Sequence, residues 1–323
     1  MSEPVHAGGR LRAYLQFLVA ILYFFLARML ARHGALELVD EAWFPLVEQA
    51  MLVLLLVVGY AAMGLWLDRQ TRPLSEQGLP LRAGWPREFG LGLATGWLAA
   101  LVCVLPLAVV GGIATSFTFQ RSAFGWLIAD AALFAFAALA EEIVFRGYAF
   151  QCLMRATGPK FSTAFFAIIY AALQALTPGS NHASFAVSFV FGVLLSIAYL
   201  RTRALWVSWG LNFGWKASRA LAFGLAISGM NNHSPIVQGD PMGPFWLTGG
   251  GYGLDGSWLA FLVLLAALPV LSRITSELDF RYNAPVIVPA GIPVDLGGSS
   301  SSPLVQIAPA GQGTEAREPK AEE

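Results

Sequence analysis

About eight runs of roughly 17–25 predominantly apolar residues punctuate this chain, each long enough to cross a bilayer as a helix. They fall near residues 13–31, 44–66, 89–113, 124–150, 161–177, 184–200, 204–226 and 257–272. Lipid offers no partner to a backbone amide or carbonyl, so spanning segments must be helices or strands of a closed barrel. Runs of this length select helices, and the expected fold class is an all-α, polytopic membrane protein. Composition agrees: hydrophobic residues make up 56% of the chain and charged residues 12%, half the roughly 25% of a soluble domain. The formal net charge is zero, so nothing in the charge balance favours nucleic acid or an anionic substrate. Cys103 and Cys152 lie in apolar runs and read as small buried apolar residues, not as a disulfide or metal framework. The first run, from Ala13 to Ala31, reads as an uncleaved anchor.

Basic residues set the orientation, because cytoplasmic loops retain positive charge. One side collects Arg10 and Arg12, the 67–88 loop with Arg69, Arg72, Arg82 and Arg87, then Arg155, Lys160, Arg201, Arg203, Arg273 and Arg281. The alternate loops carry only Arg32 and Arg121. Both termini are therefore expected in the cytoplasm. Three segments follow: residues 1–84 with the first membrane helices and a cytoplasmic loop, a core over 85–275, and a tail over 283–323. The tail is rich in Pro, Gly, Ser and Ala, cannot bury a core, and is expected to be disordered. The glycine-rich stretch 248–257 has no preceding strand and no basic partner for phosphate, so it reads as an extracytoplasmic loop.

Against this apolar background two adjacent acids stand out. Glu141 and Glu142 sit inside AALFAFAALAEEIVFRGYAF, residues 131–150. An acid at the centre of a membrane helix costs about 2.5–3.5 kcal/mol on insertion scales, and such residues commonly face a polar cavity. On a helix Glu142 and Arg146 are one turn apart and can pair, while Glu141 is turned about 100° away and is left to face that cavity. Asp130, eleven residues earlier, extends the polar stripe on nearly the same face. A buried ion-pair network that only fixes helix packing is the alternative reading.

The run Glu141-Glu142-Ile143-Val144-Phe145-Arg146-Gly147-Tyr148 resembles the first motif of the CPBP family, the CAAX prenyl endopeptidases and bacteriocin-processing proteins. The resemblance covers roughly residues 85–275 and implies an all-helical intramembrane protease. The family's second motif, Phe-x-x-x-His, corresponds to Tyr170 through Gln174. A later motif built on His-x-x-x-Asn corresponds to Gly210-Leu211-Asn212-Phe213-Gly214-Trp215-Lys216. Glutamine, asparagine and lysine thus stand where the family has histidine, histidine and asparagine. Depth places the residues independently. Glu141 is fourteen residues from Arg155, Gln174 fourteen from Lys160 and Asn212 nine from Arg203. At 1.5 Å per residue these are depths of about 21, 21 and 14 Å, so one cavity could collect all three. The competing reading has Gln174 and Asn212 merely bonding neighbouring helices.

The resemblance implies that Glu141 activates water for attack on a peptide bond, with Glu142 and Arg146 beside it. Gln174, Asn212 and Lys216 can donate hydrogen bonds to a developing oxyanion. An amide can neither accept the proton nor ligate zinc as imidazole does, so no zinc and no other cofactor is expected. His182, near the end of the fifth run, is a remote candidate for a displaced histidine. The expected function is an intramembrane endopeptidase of the CAAX-protease-like type, acting on a membrane-embedded or lipidated polypeptide in the lipid bilayer, with no nucleic acid. The expected location is a bacterial cytoplasmic membrane, crossed several times. The alternative is a catalytically inactive member that binds membrane proteins or lipidated peptides in the same cavity. No inverted repeat supports a transporter.

Overall fold

The computed structural model describes residues 7–230 and 236–283, with two short strand segments at 286–287 and 293–294. The chain divides into two compact units, Met1–Ala284 and Pro285–Glu323. In the second, β3 (Val286–Ile287) pairs antiparallel with β4 (Pro293–Val294). Most of the tail expected from 283 lies outside the described residues.

The first unit is helical. Its elements are α1 (Ala7–Leu38), α2 (Phe44–Leu67), the single turn α3 (Pro73–Glu76), α4 (Trp85–Val109), α5 (Arg121–Arg146), α6 (Tyr148–Thr157), α7 (Pro159–Ala175), α8 (His182–Thr202) and α9 (Trp206–Ala217). A π-helical turn, Ser218–Ala222, prolongs α9. After it come the single turn α10 (Phe245–Thr248), two 3-10 turns, Gly250–Tyr252 and Leu254–Gly256, and then α11 (Trp258–Ile274) and α12 (Ser276–Asn283). β1 (Ile113–Phe117) pairs antiparallel with β2 (Val237–Pro241) and ties the end of α4 to the loop after the π-turn.

Five helical segments are long and apolar enough to cross a membrane: Gly8–Leu38, Phe44–Leu67, Trp85–Val109, Arg121–Thr157 and His182–Thr202. A sixth arises if α11 and α12, bent by 56° at their junction, count as one. The protein is therefore an all-α, multi-pass membrane protein. The other two apolar runs, 161–177 and 204–226, fold as the shorter α7 and α9, and these carry Gln174, Asn212 and Lys216. Leu22, Ile128 and Leu262 are among many large apolar side chains left exposed on the helices, as expected of surfaces that face lipid.

Helix ends follow local chemistry. The α8 N-terminus carries a capping box: Asn181 Oδ1 accepts from the Ser184 amide at 2.9 Å, and Ser184 Oγ accepts from the Asn181 amide at 2.9 Å. Ser257 caps α11 through the Ala260 amide at 3.0 Å. Prolines occupy the first turns of α2, α4 and α7, where their missing N–H costs nothing. Three of the basic residues expected on the cytoplasmic side are held in polar contacts. Arg155 bonds Asp68 at 3.0 Å, Arg82 bonds Glu88 at 2.5 Å and the Thr202 carbonyl at 3.0 Å, and Arg201 bonds Asp279 at 3.0 Å.

Candidate active site

The site begins with the geometry of α5. Hydropathy runs without interruption from 124 to 150, and a single continuous helix is the expectation over that stretch. The apolar segment continues as expected from Arg121 to Thr157, interrupted at the single residue Gly147, where α5 gives way to α6. A Cβ at Gly147 would lie 2.3 Å from the Ile143 carbonyl oxygen, so glycine is the residue that fits this junction. Glu141, Glu142 and Arg146 occupy the last turns of α5, just before it.

Opposite them stands α9. Its contact with α4 is the most extensive in the molecule, and small residues make it possible. Gly92 and Gly96 on α4 face Gly210 and Gly214 on α9 so closely that added Cβ atoms would meet backbone oxygens at 2.1–2.5 Å. These are facing Gly-x-x-x-Gly pairs, the pattern that lets membrane helices approach backbone to backbone. Asn212 lies two residues from each α9 glycine, about 200° around the helix. The glycine face fixes α9 against α4 and turns Asn212, with Lys216 one turn on, towards α5.

The glutamates meet two different environments. Glu142 and Arg146 are both fully buried and pair at 3.3 Å, and Arg146 also donates to the Gly192 carbonyl of α8 at 2.9 Å. Asn212 Nδ2 bridges the doublet, 2.9 Å from Glu142 Oε1 and 3.0 Å from Glu141 Oε2. Lys216 Nζ sits 2.5 Å from Glu141 Oε1. Glu141 keeps 29% of its side chain exposed, against none for Glu142. One network thus runs Arg146, Glu142, Asn212, Glu141, Lys216, in which the neutral amide separates two carboxylates and a cation closes each end. Each of these ions has a partner, the condition for tolerating charge in a low-dielectric interior.

Gln174 does not join this chain. It is half-buried on α7 and lines a narrow cavity of about 10 Å³ together with Tyr170, Trp215, Lys216, Arg219 and Asp255, space for about one water. Lys216 is the residue common to this cavity and the glutamate network. His182 is exposed at the first residue of α8. Asp130 is half-buried, more than three turns before Glu141 on α5.

The cavity has a second buried ion pair that the reading of the sequence missed. Arg219 Nη1 lies 2.7 Å from Asp255 Oδ1, Trp215 Nε1 donates to the same oxygen at 3.3 Å, and the guanidinium stacks 4.2 Å over the Trp215 ring. Arg219 belongs to the π-helical turn, a distortion that recurs at functional sites. Asp255 comes from the glycine-rich stretch 248–257, which the sequence reads as an extracytoplasmic loop and which here forms two 3-10 turns. That stretch is also pinned to α7, with Tyr252 Oη 2.7 Å from Thr177 Oγ1 and donating to the Gln174 carbonyl at 3.2 Å. Arg219, a charge inside an apolar run, was visible by the rule that exposed the glutamates; Asp255 carried no comparable signal.

This helical membrane protein thus brings a doublet of acids at the end of one helix against polar side chains of another. Among known families, residues 122–218 match the family model described as type II CAAX prenyl endopeptidase Rce1-like. The chain thus carries an Rce1-like domain, consistent with the CPBP protease family. The match covers less than a third of the chain, from the start of α5 to Ser218, and contains all six candidate residues. No curated protein and no solved structure matches the chain.

Proposed function

We propose that this protein is an intramembrane endopeptidase in which Glu141 activates the attacking water. The observation that carries the reading is the asymmetry of the doublet: Glu142 is buried and paired, whereas Glu141 is partly exposed beside two side-chain donors. Glu141 takes a proton from water while the water oxygen bonds to the scissile carbonyl carbon. Lys216 and Asn212 donate to the oxyanion that forms, which requires Lys216 to leave Glu141 Oε1 as the negative charge moves to substrate. The carbonyl then reforms, the C–N bond breaks, and the leaving nitrogen takes the proton from Glu141. Arg146 and Glu142 hold α5 and orient Asn212. Gln174 lines the space beyond Lys216, where a water or part of the substrate can sit.

No step uses zinc in this reading, since two amides and an ammonium beside two carboxylates do not form a zinc-ligand set. The substrate is a membrane-embedded or lipidated polypeptide, and the setting is a cytoplasmic membrane with both termini on the cytoplasmic side.

A second reading, an inactive member that binds such polypeptides as a scaffold, draws on one observation. Both Glu141 oxygens already hold donors, at 2.5 and 3.0 Å, which opposes service as a base. Purified protein in lipid, tested on a library of lipidated and transmembrane peptides, separates the two. Glu141→Gln is expected to abolish cleavage, a loss of at least about 10²-fold, with an unchanged melting temperature. If wild type cleaves nothing and retains specific peptides, the scaffold reading replaces the protease.

A further inference from the structure

One cleft lies remote from the glutamates. It lies between the N-terminal half of α1 and the C-terminal end of α2, encloses about 640 Å³, and is lined by Arg12, Leu15, Gln16, Val19, Trp66 and Arg69 with Leu67 and Asp68. Sites for small ligands commonly enclose about 300–1,000 Å³. We propose that this cleft binds the phosphate of an anionic phospholipid from the leaflet at this end of the bundle.

Charge gives the first argument. Asp68, the acid in the cleft, is already satisfied: Arg155 bonds both its oxygens at 3.0 Å and Gln16 donates at 2.8 Å. Arg12 bonds the carbonyl of Leu67, and neither Arg12 nor Arg69 has an acidic partner among the described residues. Two guanidinium groups therefore line the cleft with their charge uncompensated. Guanidinium is the side chain best suited to phosphate, which it binds through paired hydrogen bonds.

Depth gives the second. Leu67 ends a segment long and apolar enough to cross a membrane, which puts Arg69 at the headgroup end of that segment, with Arg12 beside it through its bond to the Leu67 carbonyl. The Trp66 ring beside them is 82% exposed, the placement of an interfacial aromatic anchor. Exposed Leu15 and Val19 continue one wall of the cleft along α1 into the apolar zone, a surface that fits an acyl chain. Backbone conformation gives the third. Arg69 has φ 55°, a left-handed geometry uncommon for a side chain of this size. Such conformations gather at ligand sites, where surrounding structure holds them.

Native mass spectrometry of the full-length protein, released from vesicles of phosphatidylcholine with phosphatidylglycerol, tests the proposal. Wild type is expected to retain phosphatidylglycerol in preference to phosphatidylcholine. Arg12→Gln with Arg69→Gln should lower that preference about thirtyfold, the combined effect of two interfacial arginines. Arg69→Gly provides a variant whose backbone suits the positive φ, and its preference should fall about fivefold with the melting temperature kept. Equal retention of both lipids by wild type, or an undiminished preference in the folded Arg69→Gly protein, would overturn the proposal. Displacement of the lipid by millimolar inorganic phosphate would also overturn it, by showing a site for free phosphate.

Discussion

Glu141 and Glu142 are neighbours in sequence and opposites in surroundings. The separation follows from helical geometry: successive residues diverge by about 100°, so one acid can be sealed against Arg146 while the next reaches a polar opening. The buried pair makes a sharp prediction. Arg146→Met would leave Glu142 as an unpaired buried charge and should cost about 3–5 kcal/mol, read as a loss of monodisperse protein in detergent. Adding Glu142→Gln should restore most of that stability, because removing both charges removes the penalty. A double variant as unstable as Arg146→Met would mean that the arginine acts through packing. The proximity of Glu141, Glu142, Arg146, Asn212 and Lys216 was legible in the sequence, since a charge or an amide in an apolar run must find a partner. Gln174 was placed among them by its depth, yet it lies beyond Lys216. Depth along a helix gives height in the membrane and says nothing of the direction a side chain takes.

Among the elements, α4 and α9 behave as one rib because their glycines bring backbone against backbone. Gly210→Ala would set a methyl group 2.1 Å from the Phe89 carbonyl oxygen, and no side-chain rotation relieves a clash with backbone. The helices must part, which should cost about 1–3 kcal/mol and carry Asn212 and Lys216 away from the glutamates. The expected outcome is a lower melting temperature together with a fall in any Glu141-dependent activity. Activity kept in the face of lower stability would show that α9 can shift without disturbing the network. The two Gly-x-x-x-Gly pairs were present in the sequence as GLATG and GLNFG. Averaging hydropathy over a span hides them, because glycine is neither strongly apolar nor polar. The interruption at Gly147 was hidden likewise, inside an unbroken apolar run.

Over the whole molecule, the polar end that joins α1, α2 and α6 makes stability depend on pH. Burial pushes the Asp68 carboxyl up, but its hydrogen bonds with Arg155 and Gln16 and the charge of Arg155 outweigh this, holding it below its ordinary value of 3.8. A carboxyl lowered on folding contributes stability above its unfolded pKa, and the contribution fades as pH falls through the folded value. Wild type should therefore lose melting temperature below about pH 4 more steeply than Asp68→Asn, with the two profiles parallel at neutral pH apart from a constant offset. Identical slopes would show that Asp68 is not held this way. At this scale the fold class was legible, since apolar length alone demands helices. The number of full spans was less so: α7 and α9 are apolar, but at 17 and 12 residues they are shorter than the runs from which they were read.

The spacing within the network also has a consequence for biogenesis. Glu142 and Arg146 are one turn apart on α5, so this pair can form as soon as the helix itself forms. Glu141 has no partner on its own helix; Lys216 and Asn212 are translated some seventy residues later. A newly made α5 therefore enters the membrane with one acid compensated and the other bare, at a cost of about 2.5–3.5 kcal/mol. The partners that compensate Glu141 exist only once α9 has been made.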